Sequence, residues 1–350
     1  MKNHGLKILQ RTRFPLYLCF LMLITLLVGR PLLSSAQNEV KLERLISGEY
    51  DVWGIDWRSD GRIVFSGKKE GEIGGQMRIW LYRPGPDNSP VLWTGTGSLV
   101  DSSPKWAPDE SGVVMVRKIV PSSSARQMQT AIWWKAFPSG EGLRLTTGPE
   151  DRDPAWSPDG ERIVFVRGDG LYTSSLLTIN RNGTGLTTLI HNCQGFITTP
   201  DWGKNNKLYY TMLQPRKTAV QTDSLTAECW GLDQGRIWVY DPDTGENRPL
   251  LEEEKGNDHR HPAVSPSGRY LAYIATRGGD GPEKRVIRDR GSLIVLDLET
   301  GERFHVTDGV SLNGGSPCWS PDEKQIAFLS FRDNRPAAWK IEWEKYAVQE

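Results

Sequence analysis

The five residues Trp156, Ser157, Pro158, Asp159 and Gly160 (WSPDG) join a tryptophan to a tight turn. Proline presets the φ angle of the first central position of a type I turn, and glycine adopts a positive φ without steric cost. A β-branched and aromatic run, Ile163 to Val166, follows the turn. This order predicts a hairpin in which one strand ends at the tryptophan and a second begins after the turn.

The same unit recurs along the chain, with a valine in place of the tryptophan in one copy. The further copies begin at Trp57 (WRSDG), Trp106 (WAPDE), Trp202 (WGKNN), Val264 (VSPSG) and Trp319 (WSPDE). Successive anchors lie 46 to 62 residues apart, which is enough chain for four short strands and their turns. Six copies of a four-stranded unit predict an all-β fold, a six-bladed β-propeller.

The last copy is too short to supply four strands by itself. Only seven residues follow Trp343, whereas the stretch from Leu42 to Gly48 (LERLISG) is similar to Leu143 to Gly148 (LRLTTG). Each of these stretches leads into the next anchor turn. We therefore expect an N-terminal strand to complete the last blade, which would close the ring and cover a sheet edge.

The pattern from Asp153 to Gly160 (DPAWSPDG) resembles the repeat of TolB-like six-bladed propellers. The resemblance covers about 300 residues and implies the fold more specifically than the function. Such blades occur in TolB of the cell envelope, in the propeller domains of prolyl-oligopeptidase-type enzymes and in stand-alone secreted proteins. It therefore implies an extracytoplasmic binding role and leaves other roles open.

Residues 1–36 have the organisation of a secretion signal. A basic opening precedes the uncharged stretch Phe14 to Val28, and Ser34, Ser35 and Ala36 offer small residues for cleavage. We expect residues 1–36 to be a signal peptide or an N-terminal anchor, and residues 37–350 to form the propeller. The expected location is periplasmic or extracellular, with membrane attachment only through an uncleaved leader.

The charge balance argues against nucleic acid as a partner. The full chain has 43 basic and 43 acidic residues, and residues 1–36 hold five of the basic residues and no acidic ones. The remaining chain is thus acidic by about five charges. No arginine-rich tract offsets this, so we expect a monomer that binds a protein or a cell-envelope component.

The cysteines leave one question open. Cys193 and Cys229 belong to the same repeat. In an oxidising compartment, either they form a disulfide with each other or they remain unbridged, and the sequence leaves both alternatives open. Cys318 precedes Trp319 on the innermost strand, where a small buried packing residue is expected.

Propeller topology indicates where a ligand would bind. The segments of variable length connect second strands to third strands, on the side from which the innermost strands start; we call it the loop-rich face. These segments are Gly67 to Gln76, Ile119 to Gln129, Leu213 to Gly235 and Thr276 to Ser292.

Polar residues just before the anchors should surround the channel mouth on the loop-rich face. Arginines there could hold an anionic group, and imidazoles with carboxylates could hold a metal, although water can equally satisfy polar residues in a channel. Two histidines separated by one residue are weak evidence for a metal, so no metal and no cofactor are expected. The candidate ligand-binding residues are Asp101, Asp151, Arg152, Asp153, Asp258, His259, Arg260 and His261.

Two functions are compatible with these observations. The first is a non-catalytic scaffold that binds a protein or an envelope component through the loop-rich face. The chain contains no GxSxG elbow, HExxH helix or phosphate-binding glycine loop. Propeller enzymes, however, can assemble a site from single residues on several inner strands. The alternative is therefore a channel-based carbohydrate-active lyase or a hydrolase that uses His259, His261 and Asp153.

Overall fold

Six antiparallel sheets of four strands each build the chain in the computed structural model. The structure describes residues 42–71, 76–85, 88–95, 99–119, 129–168, 173–192, 195–222, 225–251, 257–277, 291–311, 316–343 and 346. For residues 119, 192, 214–222, 225–233 and 277 it describes the backbone alone. Every regular element in these ranges is a strand.

Each sheet is one blade, and its strands follow one another from the channel outward. The innermost strands are β2 (Tyr50–Trp57), β6 (Val100–Trp106), β10 (Asp151–Trp156), β14 (Phe196–Trp202), β18 (Asn257–Val264) and β22 (Cys318–Trp319). The second strands are β3 (Ile63–Lys69), β7 (Gly112–Ile119), β11 (Arg162–Gly168), β15 (Leu208–Thr222), β19 (Tyr270–Arg277) and β23 (Gln325–Ser330). The third strands are β4 (Arg78–Tyr82), β8 (Gln129–Ala136), β12 (Ser174–Asn180), β16 (Leu225–Tyr240), β20 (Gly291–Asp297) and β24 (Ala337–Glu342). The outer strands are β5 (Val91–Leu92), β9 (Gly142–Arg144), β13 (Thr187–Asn192), β17 (Asn247–Pro249), β21 (Arg303–Val310) and β1 (Glu43–Arg44).

The second strands form the core of the fold because neighbouring blades cover both of their faces. Val64 and Phe65 of β3, like Val164 and Phe165 of β11, are fully buried. Burying such a side chain contributes roughly 1.5–3 kcal/mol. The continuous apolar runs after the anchor turns therefore mark strands that are sandwiched between two blades, as the sequence predicts.

Two of the anchor tryptophans connect successive blades. Trp156 of the third blade donates its indole N–H to the carbonyl of Lys105 in the second blade, at 3.2 Å. Trp319 of the sixth blade makes the same bond to Ala263 of the fifth, at 2.9 Å. The Trp202 indole instead donates to Asn206 in its own turn, at 3.2 Å, so the anchors share burial rather than one hydrogen-bond partner.

The predicted ring closure is confirmed. The outer strand of the sixth blade is β1, which pairs antiparallel with β24, so the sheet order is β1-β24-β23-β22. After β1, Leu45 donates its backbone N–H to Ala338 at 2.9 Å, and Leu45 and Ile46 are buried. The two ends of the described chain therefore share one blade.

The segment from Leu213 to Gly235, expected as a long loop, is a hairpin. Strands β15 and β16 stay paired from Leu208–Tyr240 to Thr222–Leu225. The neighbouring strand β14 pairs with β15 only as far as Leu213, and β17 pairs with β16 only from Trp238. Residues 215–222 and 225–232 thus form a two-stranded extension of the fourth blade, which we call the arm. At about 3.3 Å per residue it is about 25 Å long.

Several sequence predictions fall outside the described residues. These are the leader, Cys193, the Cys229 side chain with the disulfide that would join them, and the parts of three loops at 72–75, 120–128 and 278–290. Within the described ranges, no helix is long and apolar enough to cross a membrane. Cys318, the one cysteine whose side chain the structure describes, is a buried free thiol.

Candidate functional site

A break in the innermost strands shapes the channel wall. Residues Ser103, Asp153, Thr199 and His261 each precede a proline and lie three positions before an anchor. Proline has no N–H for the ladder, and the pairing register shifts at each of these sites. All four residues have a positive φ, between 48° and 58°. Four equivalent β-bulges therefore line up in successive blades at one level of the channel.

This level contains a cavity of about 130 Å³. The innermost strands of four blades and Ser316 of the sixth blade contribute to its wall, and the polar part consists of three hydroxyl-bearing residues, one carboxylate and one lysine. The wall residues are Trp53, Gly54, Ile55, Ser103, Pro104, Lys105, Asp153, Pro154, Thr199, Pro200 and Ser316. The cavity thus combines an aromatic side, several prolines and a small number of charged groups, as ligand pockets often do.

A group of charged residues adjoins the cavity at the position directly before the anchors. We call Asp56, Lys105, Asp201 and Cys318 the channel cluster. The Lys105 ammonium lies 3.6 Å from Asp56 Oδ1. Burial opposes the charge of Lys105, but Asp56 and Asp201 outweigh burial and raise its pKa above the usual value. Lys105 therefore stays charged.

The two carboxylates of the channel cluster also hold neighbouring blades together. Asp56 Oδ2 accepts the backbone N–H of Trp106 in the second blade at 2.7 Å. Asp201 Oδ2 accepts that of Val264 in the fifth blade, also at 2.7 Å. Burial raises the pKa of both carboxyls, although Lys105 and these N–H groups act in the opposite direction.

Cys318 closes the channel cluster on the side of the sixth blade. Its Sγ lies 3.6 Å from Asp56 Oδ1. Burial raises the pKa of the thiol, and the charge of Asp56 adds to this effect. Cys318 therefore remains a neutral thiol that can donate weakly to Asp56.

Asp56, Lys105 and Asp201 are not among the residues predicted from the sequence, which all lie three or more positions before an anchor. The position directly before each anchor holds Asp56, Lys105, Ala155, Asp201, Ala263 and Cys318 in the six copies. Three of the six copies hold a charged residue at this position and the others hold alanine or cysteine, and this difference could have indicated the cluster from the sequence.

Among the predicted binding residues, Asp153 lines the cavity. Its Oδ2 accepts the N–H of Thr199 at 3.1 Å. Thr199 Oγ1 lies 3.2 Å from Thr211 Oγ1, which in turn accepts the backbone N–H of His261 at 3.0 Å. The predicted groups around Asp153 and His261 are thus connected through two threonines of the fourth blade.

Two other predicted residues belong to ion pairs inside their own blades. Asp101 is fully buried and accepts two hydrogen bonds from Arg117, at 2.7 and 3.0 Å. Asp151 is fully buried and accepts two from Arg167, at 2.6 and 2.9 Å. Such bidentate pairing occupies both carboxylate oxygens, so the geometry gives Asp101 and Asp151 a structural role.

Asp258 and Arg260 lie at the base of the arm. Arg260 pairs with Asp258 at 2.6 Å, and Asp258 Oδ1 accepts the backbone N–H of Gly235 at 2.8 Å. A Cβ at Gly235 would lie only 2.8 Å from Asp258 Oδ1 and from Arg260 Cγ, which explains the glycine. These two residues therefore hold the arm where it leaves the fourth blade.

The remaining predicted residues are partly or fully buried. His259 makes an edge-to-face contact with Tyr273 at 5.3 Å, and His261 is also buried. The Arg152 guanidinium lies 4.2 Å from the centre of the Phe196 ring and 3.4 Å from Glu150. Across the described ranges, no three histidine, cysteine, aspartate or glutamate side chains are arranged to hold a metal ion.

Comparisons with known proteins cover sequence and structure. No protein-family model matches the chain. A stretch of 105 residues, 30% of the chain, is 33% identical to dipeptidyl-peptidase 5 of Porphyromonas gingivalis. The match spans 14% of that peptidase, about one seventh of its length.

Two solved structures illustrate the similarity in fold. TolB from Acinetobacter baumannii superposes with a TM-score of 0.59 at 16% identity, over 82% of this chain and 64% of that one. An oligogalacturonate lyase in complex with manganese superposes with a TM-score of 0.53 at 14% identity, over 87% of this chain and 93% of that one. At such identities the likeness concerns the fold alone. Together with the six blades and the closing N-terminal strand, it shows that the chain has the TolB-like six-bladed β-propeller fold.

Proposed function

We propose that this protein is an exported, non-catalytic propeller that binds a protein or a cell-envelope component through its loop-rich face. The arm is the observation that carries this proposal. A two-stranded hairpin is marginally stable alone in water, and the arm continues for about eight residue pairs beyond its neighbouring strands. An extension of this length without a structural partner in its own blade is suited to contact another molecule.

The position of the arm supports the same role. It continues the connection between a second and a third strand, so it leaves the blade on the loop-rich face. Asp258 and Arg260 fix its base. The innermost strands, which carry the bulges, start on the same side. A rigid ring would thus present an arm and a polar channel mouth together.

The proposed location and class of partner follow from charge and from the leader. The chain without residues 1–36 is acidic by about five charges, which is unfavourable for nucleic acid. The basic and apolar opening supports export to the periplasm or beyond. The resemblance to TolB-like propellers implies a binding role of this kind.

Trimming the arm tests the proposal. A variant joins Leu213 to Gly235 through a two-residue Asn-Gly turn, which keeps the last pair before the arm and removes the arm itself. We expect proximity labelling in the native compartment to identify a partner with the wild type and to lose it with the trimmed variant. Charge reversal at Arg260, which loosens the arm base, should weaken capture. The control is Leu186→Ser on the outer rim, where the side chain is 50% exposed.

The circular dichroism spectrum of the trimmed variant should match that of the wild type, which shows that a loss of the partner does not result from unfolding. Equal recovery of the partner by the wild type and by a folded trimmed variant would reject the arm as the binding element. Labelling confined to cytoplasmic proteins would reject export.

A channel enzyme is the second candidate. The connected polar residues Asp153, Thr199 and His261 and the similarity in fold to a lyase favour it. The short match to a peptidase adds hydrolysis to the reactions to be tested. A catalytic channel should turn over an oligouronate or a peptide, and His259→Ala with His261→Ala should abolish that activity together with any bound metal. Purified wild type without activity on both substrate classes would eliminate this candidate.

A further inference from the structure

The arm has two long edges, and no third strand pairs with either of them in the described part of the chain. Strand β14 pairs with β15 only as far as Leu213, and β17 pairs with β16 only from Trp238. Because the sheet order is β14-β15-β16-β17, the β15 edge lies toward the innermost strand and the β16 edge lies on the outer side of the blade. A strand edge presents backbone N–H and C=O groups with which another strand can pair.

The pairing of the arm indicates which backbone groups point to these edges. Only two residues separate Thr222 from Leu225, so this pair closes the hairpin and is hydrogen-bonded as the first and last positions of a β-turn. Hydrogen-bonded and non-hydrogen-bonded pairs alternate along an antiparallel ladder, and the register is continuous over the arm. The N–H groups that point away from the hairpin are those of residues 217, 219 and 221 on the β15 edge and of residues 226, 228 and 230 on the β16 edge.

The sequence protects the two edges unequally. Natural proteins prevent pairing at a strand edge with proline and with charged residues, especially lysine. Residues 215–222 begin with Pro215, Arg216 and Lys217, whereas residues 225–232 contain no proline and one charged residue, Glu228. Every residue on the outer edge of the arm therefore has a backbone N–H, and this edge is the one that another strand can join.

We propose that an extended segment of a partner protein pairs with the outer edge of β16 as a third strand of the arm. This inference rests on the proposed function and specifies how the arm recognises its partner. Two strands alone are marginally stable in water, and an added strand takes its affinity from main-chain hydrogen bonds. A segment of about eight residues spans the arm. The chain without residues 1–36 is acidic by about five charges, which opposes pairing with a second copy of itself.

Two proline variants distinguish the two edges. Gln221 and Thr226 are opposite each other in the arm, and their N–H groups point to the β15 edge and to the β16 edge, respectively. Proline at either position removes one outward N–H and leaves the hydrogen bonds between β15 and β16 in place. Both original residues are uncharged. Thr226→Pro should therefore weaken strand addition, and Gln221→Pro is its matched control.

The probe is an acetylated and amidated octapeptide with the sequence of residues 215–222, which is a strand that β16 accepts as an antiparallel neighbour. Hydrogen–deuterium exchange of the full chain, resolved to single residues by mass spectrometry, measures protection of the backbone N–H groups. At saturation we expect exchange at residues 226, 228 and 230 to slow about tenfold, the equilibrium factor of one net hydrogen bond. Exchange at residues 217, 219 and 221 should not change. Thr226→Pro should weaken peptide binding about tenfold, and Gln221→Pro should not weaken it.

The same measurement monitors the hairpin itself. The inward N–H groups of residues 227 and 229 should exchange slowly in every variant, which shows that β15 and β16 remain paired. Absence of saturable binding to the wild type, slowed exchange at the β15 edge instead, or unchanged binding by an intact Thr226→Pro variant would overturn the proposal. If Thr226→Pro disrupts the hairpin, the exchange pattern of the wild type gives the decision.

Proximity labelling with these variants separates strand addition from the proposed function. Loss of the partner by the trimmed variant but not by Thr226→Pro would keep the arm as the binding element and overturn strand addition. Recovery of the partner by the trimmed variant would reject the proposed function itself. A wild-type dimer in sedimentation velocity that becomes monomeric in Thr226→Pro would assign the edge to a second copy of this chain, and would overturn the proposal of a different partner.

Discussion

Among single residues, the carboxylates of the innermost strands lie in two distinct environments. Asp151 is fully buried and shares two hydrogen bonds with Arg167. Asp201 is partly exposed, accepts the backbone N–H of Val264 at 2.7 Å and is attracted by the charge of Lys105. The first carboxylate should stabilise its blade, whereas the second is a site where charge is costly.

Removal of the Asp151 charge should destabilise the protein strongly. Asp151→Asn leaves the Arg167 guanidinium without its counter-charge, and we expect the free energy of unfolding to fall by about 3 kcal/mol. Urea denaturation followed by tryptophan fluorescence measures this change. The exposed control Asp308→Asn should stay within about 0.5 kcal/mol of the wild type. A similarly small effect of Asp151→Asn would show that the ion pair does not stabilise the third blade.

Asp201 should make stability depend on pH in the opposite sense to a paired carboxylate. Its folded-state pKa is raised above 3.8, the value of an unperturbed aspartate, so the native state binds more protons than the unfolded state just above that pH. The free energy of unfolding contributed by this group therefore falls as the pH rises from 3.8 through the raised pKa. Asp201→Asn should remove this fall. Urea titrations at a series of pH values that give parallel curves for the two proteins would contradict the assignment.

The sequence predicts Asp153, which lies in the cavity wall, as a binding residue, but it does not point to Asp201. Spacing from the anchors identifies which residues face the channel region, because the innermost strands are equivalent. It cannot show that Asp101 and Asp151 have arginine partners on the next strand, since the pairing register across a hairpin is set by the bulge at Ser103 and Asp153. Burial and partners, rather than residue type, separate the structural carboxylates from the candidate site.

Among the structural elements, the closing strand β1 has few backbone pairs, but the side chains that follow it are well packed. Only Glu43 and Arg44 are paired with β24, yet Leu45 and Ile46 are buried next to them. Ile46→Ala should lower the free energy of unfolding by about 2–5 kcal/mol, the cost of a buried Ile to Ala change. Leu186→Ala, where the side chain is 50% exposed, should have little effect. Equal stability of the two variants would show that this segment does not complete the last blade.

The elements also show what a repeat can and cannot predict. Six anchors and their turns locate the first two strands of each blade, because turn chemistry and buried apolar runs are local features. The outer strands vary in length from two to eight residues. Because one edge of each outer strand faces solvent, few contacts determine where the strand ends. The arm could not be predicted, because residues 214–233 have no apolar periodicity that would distinguish a long hairpin from a loop.

At the scale of the whole molecule, the ring is the premise of both proposals. A closed ring holds the six innermost strands at fixed distances, and this brings Asp56, Lys105 and Asp201 from three blades into one cluster. It also gives the arm a rigid base at Asp258. The number of blades and the closure could be predicted from the sequence because they follow from counting repeats. The channel chemistry could not, because it depends on which side chains meet across the axis.

A disulfide across the closure tests the ring most directly. Glu43 and Lys340 are directly opposite each other on β1 and β24 and form a partly exposed ion pair at 3.2 Å. Opposite residues of paired antiparallel strands lie within the Cα separation that a disulfide requires. We expect Glu43→Cys with Lys340→Cys to form this bond in the folded, oxidised protein, identified as a linked peptide pair by mass spectrometry. Free thiols at both positions in a folded protein would contradict a ring closed by its N-terminal strand.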